Sequence, residues 1–345
     1  MNKLLLTLGV TALSPLALAK PVIVTSIKPV SMVVAAITGD RADIEQIVSN
    51  SASPHDFALR PSDLRKIANA DTVVWVGESL ERFLEKPLEN ASKEDSSIEW
   101  LALNGMNLHN FAEGHDDHDD HEDHDHDKHH DDHDDHEDHD HDKHHDDHED
   151  HDHDKHHDDH DEHEGHEGHE GHDHSGVDPH VWLSPENAKI LAQAVSKRLS
   201  EIDAQNAAYY QANLAEFEQG LAAKDAQIRT ALNKVNTVPY IVFHDGYSYF
   251  ERHYGLQHAG EITVSPERKP GAKKVAELRH EIEENHIQCV FSEPQFSPAI
   301  VKALLDGVNV NTAPLDPLGG DIKLDSNAYY RFLDSLSGQF LSCLG

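Results

Sequence analysis

Long apolar runs are scarce. After residues 4–18, no stretch approaches the roughly 20 apolar residues that a bilayer-crossing helix needs, so no later membrane span is expected. Cysteine is limited to Cys289 and Cys343, with no Cys-x-x-Cys spacing, which argues against a thiolate zinc ribbon or a thioredoxin-type redox motif. Basic residues are few, with 28 Lys and Arg against 65 Asp and Glu and a net charge of −37. Nucleic acid and anionic membrane surfaces are therefore poor partners. Neither His-Glu-x-x-His nor Gly-x-Ser-x-Gly occurs, so two common hydrolase signatures are absent.

Histidine, by contrast, is abundant. Residues 115–174 hold 24 of the 32 histidines, interleaved with 30 acidic residues and only three lysines. The fifteen residues 115–129 recur unchanged as 130–144, then in shortened form, and the repeat dissolves into HEGHEGHEGH. So few apolar side chains cannot bury a core, and a disordered, solvated segment is expected. Neutral imidazoles beside carboxylates make many weak sites for zinc, copper or nickel. A purely solvating tract would need only the acids. The tract carries −27 of the net charge, leaving −10 for the rest, whose apolar content is ordinary.

The first 19 residues read as a secretory signal peptide. Lys3 is the positive start, residues 4–18 the apolar middle, and Ala17-Leu18-Ala19 the small-residue cleavage site. No cysteine follows that would take a lipid anchor, so a soluble mature chain starting at Lys20 is expected, exported to the periplasm. Two cysteines fit such an oxidising compartment as a disulfide. Closing a loop of that span is worth roughly 4 kcal/mol on the chain-entropy account.

Strand-like and helix-like patterns alternate along the rest. Residues 22–26, 44–48, 72–76 and 98–103 read as strands, with helices over 30–38, 61–70 and 78–88. Ser184-Pro185-Glu186 is a helix start, with a capping Ser, a Pro in the first turn and then an acid. Apolar positions from Tyr210 to Val235 predict one helix of roughly 30 residues, about 45 Å long. Strands over 240–243, 259–264, 288–292 and 308–312 follow, separated by helices over 246–254, 272–286 and 298–305. The fold class is thus α/β: two (β/α)4 lobes with mainly parallel sheets, joined by a long rigid helix and interrupted by the His/Asp-rich loop. The expected domains are an N-terminal lobe over 20–205 containing the loop 115–174, a connecting helix over 206–236, and a C-terminal lobe over 237–345.

In open α/β sheets, ligands bind beyond the carboxyl ends of strands. Three of the eight histidines outside the tract hold such positions. His55 follows the second strand, His180 precedes the Ser184 cap, and His244 follows the strand at 240–243. Asp316 follows the last strand. Three imidazoles and a carboxylate suit zinc. Taken singly, each is as well explained as a surface or capping residue; their shared strand-end position is what selects them. His253, His258, His280 and His286 share no pattern and are expected at the surface, and His109 borders the tract.

The stretches Ser53-Pro54-His55-Asp56-Phe57, Asp178-Pro179-His180-Val181-Trp182, Phe243-His244-Asp245 and Leu315-Asp316-Pro317-Leu318-Gly319 resemble the metal-binding solute receptors of ABC importers. The zinc-uptake receptors of the Gram-negative periplasm are the most similar branch. The resemblance implies Zn²⁺ as transported ligand, with His55, His180 and His244 as metal ligands, Asp316 as a fourth ligand with water as its alternative, and Glu293 supporting the cleft or a docking surface. It also implies a Cys289–Cys343 disulfide, an inner-membrane ABC permease as partner and other periplasmic zinc-binding proteins as further candidate partners. A monomer is expected, without enzymatic activity. His244 favours zinc, because manganese-binding relatives often place a carboxylate there. The expected function is capture of zinc in an interlobe cleft for import, with the His-rich loop as an auxiliary collector. A periplasmic metal buffer, in which the tract does everything, and a zinc hydrolase are the alternatives. Deleting the tract separates receptor from buffer, and an ester panel tests hydrolysis.

Overall fold

The computed structural model describes residues 19–111, 176–263 and 270–345. The expected signal peptide and the expected disordered loop lie outside the described residues. β-Branched runs form the inner strands β1 (Val22–Thr25) and β3 (Thr72–Trp75), and with the edge strands β2 (Asp43–Gln46) and β4 (Ile98–Glu99) they make one sheet in the order β2-β1-β3-β4. Every pair in it is parallel. The second sheet holds β5 (Tyr240–His244), β6 (Gly260–Thr263), β7 (Cys289–Ser292) and β8 (Asn311–Pro314), also all parallel, in the order β6-β5-β7-β8. The two orders correspond strand for strand. Each sheet therefore has a switch of connection direction beside its first strand, where crevices form at carboxyl ends.

The helices are α1 (Lys28–Thr38), α2 (Pro61–Asn69), α3 (Glu78–Glu81), α4 (Glu85–Asn90), α5 (Pro185–Ile202), α6 (Ala207–Leu232), α7 (Ser248–Tyr254), α8 (Ala272–Glu284), α9 (Pro298–Leu304) and α10 (Ala328–Leu344). The start of α5 follows its sequence signals: the Ser184 side chain accepts from the Asn187 N–H, and Pro185 occupies the first turn. The long helix α6 has 26 residues, about 39 Å, and ends at Leu232 rather than continuing to Val235. Val235 is buried nonetheless, reached through tight turns in which its N–H bonds the Leu232 carbonyl.

Further departures from the sequence expectation concern other elements: the helix expected over 78–88 is split into α3 and α4, and the last strand runs over Asn311–Pro314 instead of 308–312. The fourth strand is only Ile98–Glu99, because the chain turns at once through Leu101 and Leu103. Beyond the eighth strand, where the sequence patterns mark no further element, lies a 17-residue helix, α10. Tyr329, Phe332, Leu333, Leu336, Phe340 and Leu344 form its buried face, the spacing of an amphipathic helix.

One core cluster runs from Ile23, Val24, Val73 and Val74 of the first sheet through α1, α5, α6 and α10 to Tyr240, Val242, Cys289 and Phe291 of the second. A smaller cluster lies between the second sheet and α8 and α9, around Phe243, Ile262, Leu278 and Leu304. The disulfide Cys289–Cys343 joins the start of β7 to the end of α10, with Cα atoms 5.9 Å apart. Trp182 adds a cross-tie, its indole N–H donating to the Pro317 carbonyl at 2.8 Å.

Candidate metal centre

Each of the three histidines is fixed by its local backbone. His55 sits in a turn after β2, its N–H donating to Ser53 Oγ at 3.2 Å. His180 opens the short helical turn Val181–Leu183, and its N–H donates to Asp178 Oδ1 at 3.0 Å. His244 is the last residue of β5. The chain bends directly after it, with the Gly246 N–H donating to the His244 carbonyl at 2.9 Å.

These elements bring the three rings together. His55, His180 and His244 are 6%, 1% and 2% exposed, so the cluster is withdrawn from bulk water. His180 Nε2 lies 3.3 Å from His55 Nε2 and 3.2 Å from His244 Nε2. One nitrogen from each of the three lies within 4.8 Å of the others, the one such metal-holding group among the described residues.

Carboxylates grip the opposite ring nitrogens. His180 Nδ1 is 2.6 Å from Asp178 Oδ1, and His244 Nδ1 is 2.6 Å from Glu293 Oε1, all four side chains being buried. A carboxylate can only accept, so each Nδ1 carries the proton and each neutral imidazole presents a lone pair at Nε2. Two lone pairs 3.2 Å apart repel unless a proton or a cation lies between them. This arrangement, with carboxylates orienting imidazoles from behind, is how proteins tune histidine metal ligands.

The electrostatics follow from the same contacts. Burial works against the charged form of His244, but Glu293 at its Nδ1, with Asp245 and Asp178 beyond, outweighs burial and raises its pKa above the ordinary 6.5. Burial would raise the Asp178 carboxyl; the His180 imidazole and the Ser248 hydroxyl hold it below its usual range. Ser248 Oγ donates to Asp178 Oδ2 at 2.5 Å, and Tyr249 Oη donates to the Asp178 carbonyl at 2.8 Å. The N-terminal residues of α7 therefore steady the segment that carries His180.

Gly246 closes one side. A Cβ there would stand 2.4 Å from His244 Nε2 and 3.0 Å from His180 Nε2, so any side chain would fill the space the nitrogens enclose. Beside the rings is a cavity of about 10 Å³, room for about one water-sized body. Pro54, Trp182, Gln295, Phe296 and Pro317 line it with the histidines and Glu293.

The structure does not bring Asp316 into this group. Its Oδ1 accepts from Gln295 Nε2 at 2.8 Å and the Leu318 N–H at 3.0 Å, and its Oδ2 accepts from the Gly320 N–H at 2.8 Å. Glu293 supports the cleft from behind His244. His280 is exposed and paired along its helix with Glu284, and His286 is exposed. His253 and His258, expected at the surface, are half-buried and bonded to Asp225 and Glu251. The residues flanking the tract pair with each other: Asn110 bridges Val177, and the Asp178 N–H donates to the His109 carbonyl at 2.8 Å. Asp178 and Gly246 had no role assigned from sequence. The signal for Asp178 was its place two residues before His180, the spacing at which an Asp side chain bonds a following backbone N–H.

Residues 23–343 match the family described as zinc-uptake complex component A, periplasmic (ZnuA). The chain belongs to this family. Among ZnuA relatives, the high-affinity zinc uptake system protein ZnuA of Haemophilus influenzae is 41% identical, over 100% of this chain and 99% of that protein. The protein of the same name from Yersinia pestis is 37% identical over 96% of this chain and 93% of its own length. Among solved structures, a crystal structure of ZnuA superposes with a TM-score of 0.69 at 22% identity, covering 95% of this chain and all of that one. AdcAII of Streptococcus pneumoniae gives 0.68 at 22% identity, with 95% and 100% covered. At those identities, the structural likeness speaks for the fold alone: two α/β lobes with a long helix between them.

Proposed function

We propose that this chain is a periplasmic zinc-binding receptor: it captures Zn²⁺ through Nε2 of His55, His180 and His244 and hands it to an inner-membrane ABC permease for import. The observation that carries the reading is the convergence of three buried Nε2 atoms, two of them on imidazoles turned by carboxylates at Nδ1. Zinc takes four ligands and favours nitrogen donors at about 2.0–2.1 Å. An all-imidazole set is poorly suited to magnesium, calcium or manganese, which prefer oxygen. Membership of the ZnuA family and relatives named for high-affinity zinc uptake support zinc as cargo. The same membership makes the chain a binding component and not an enzyme. Among the described residues, no helix is long and apolar enough to cross a membrane.

The His-rich tract is an auxiliary collector in this reading. Its many weak sites raise the local supply of zinc, and the tract joins the described chain only a few residues before His180. The richness of the tract also favours a second reading, in which the chain is a metal buffer without a dedicated site. Titration with a competing chelator decides between them. A receptor lacking residues 115–174 keeps one tight zinc site, and a buffer keeps none. In the full chain, His55→Ala, His180→Ala and His244→Ala should each abolish the tight site. Unchanged affinity in all three variants would sink the assignment.

A further inference from the structure

Among the residues that line the cavity beside the three histidines, Gln295 carries a buried polar atom without a protein partner. Gln295, in the loop after β7, lines that cavity together with His55, His180, His244 and Glu293. Asp316 sets the orientation of its amide: Gln295 Nε2 donates to Asp316 Oδ1 at 2.8 Å. That carboxylate accepts from the backbone as well, from the Leu318 and Gly320 N–H groups, so it is an acceptor throughout. A carboxylate cannot donate to an amide oxygen. The NH2 end of Gln295 must therefore face Asp316, and the carbonyl end must face away. That carbonyl oxygen, Oε1, is buried and accepts no hydrogen bond from the protein. Buried acceptors are almost always satisfied, so a donor is expected beside Oε1, and Gln295 borders the cavity.

The coordination chemistry supplies such a donor. Three imidazoles leave one tetrahedral position of a zinc ion to fill, and no carboxylate joins the cluster. Gly246 closes one side, leaving the cavity of about 10 Å³, enough for one water. Zinc makes a bound water a stronger acid, hence a stronger hydrogen-bond donor. Resting on the zinc reading above, we infer that Gln295 holds the water that completes the zinc coordination, Oε1 accepting its hydrogen bond, and that Asp316 acts through Gln295 as a positioning residue.

This gives Asp316 a part in the site without contact to the ion. It also accounts for an amide, rather than a carboxylate, at position 295. A carboxylate there could not donate to Asp316 and would set a second negative charge against it.

The test uses the full-length, metal-free protein, with zinc affinity from chelator competition and the visible spectrum of the Co²⁺-loaded form. Gln295→Ala should weaken zinc binding about 10- to 100-fold, as loss of an outer partner does elsewhere, and should shift the Co²⁺ bands. Gln295→Glu, which keeps the shape of the side chain but cannot donate to Asp316, should shift the Co²⁺ bands as Gln295→Ala does. Asp316→Asn lets the amide turn, so it should lose as much as Gln295→Ala, and the double variant should lose no more than either alone. Gln295→Ala with parental affinity and an unchanged Co²⁺ spectrum would overturn the inference and leave the zinc reading standing. A parent that binds no zinc, or His180→Ala that binds as the parent does, would overturn the zinc reading itself.

Discussion

Gly246 shapes the proposed ion site without supplying a ligand to it. No side chain fits there, since its first carbon would stand 2.4 Å from His244 Nε2, well inside carbon–nitrogen contact distance. Gly246→Ala should therefore push the imidazoles apart and cost at least about 100-fold in zinc affinity, the upper end for disturbed ligand orientation. The metal-free protein should still fold. Chelator competition beside a melting curve checks both halves, and parental zinc affinity would refute the steric account. A second residue, His258, reports on stability. Burial lowers its pKa, but the two oxygens of Glu251 at Nδ1 outweigh burial and raise it from 6.5 to about 9. Because the folded protein holds a proton that the unfolded chain releases near 6.5, the stabilisation is fully present below that pH. It is lost as pH rises through about 9. His258→Gln should flatten the fall in metal-free melting temperature over that window, and a slope unchanged from the parent would count against the pair. The three histidines that the structure brings together could be singled out in the sequence, because each stands at a strand end or before a helix cap. Gln295, Gly246 and the Asp178 contacts to α7 were not. Their roles depend on which atoms face one another across loops far apart in the chain, and neither spacing nor periodicity carries that information.

At the scale of elements, the alternation of β-branched runs with capped helices was legible, and so was the start of α5. The end of α6 was not, because helical periodicity carries on to Val235 while the chain has already turned to bury it. The helix α10 is not legible from strand-helix alternation, although Tyr329, Phe332, Leu336 and Phe340 have helical spacing. It lies past the last strand, where strand-helix counting stops. Yet α10 ties the molecule together: Phe340 packs on Tyr240, Tyr247, Phe250 and Phe291, and Tyr329 Oη donates to the Trp182 carbonyl at 2.8 Å. Its last turn is clamped to β7 by Cys343. Paired replacement of Cys289 and Cys343 by Ser should cost about 2–5 kcal/mol of stability. Zinc affinity should be kept, because β7 enters the site only through the loop beyond its far end, at Glu293 and Gln295. Denaturant unfolding with and without zinc separates the two effects. A large loss of affinity with stability intact would mean that the disulfide shapes the site directly.

For the whole molecule, the decisive feature is that the two sheets share one core. Ile23 and Val74 of the first sheet and Tyr240 and Phe291 of the second belong to the same buried cluster, joined through α1, α5, α6 and α10. Opening the lobes as a hinge would expose part of that apolar surface, at about 25 cal/mol per Å², which quickly exceeds what a metal-binding event can redistribute between two states. On the proposed assignment, zinc entry and release therefore belong to the loops that carry His55, His180 and His244. His55 lies in the turn after β2, His180 before α5, His244 and Gly246 between β5 and α7, and Gln295 after β7. Hydrogen exchange on the tract-deleted chain should show zinc-dependent protection at residues 53–57, 178–184, 244–249 and 293–296. The amides of α6 should exchange alike in both states, and small-angle scattering should be superimposable with and without zinc. A zinc-dependent change along α6, or a clear contraction of the particle, would show that the shared core yields and that the lobes close on the ion.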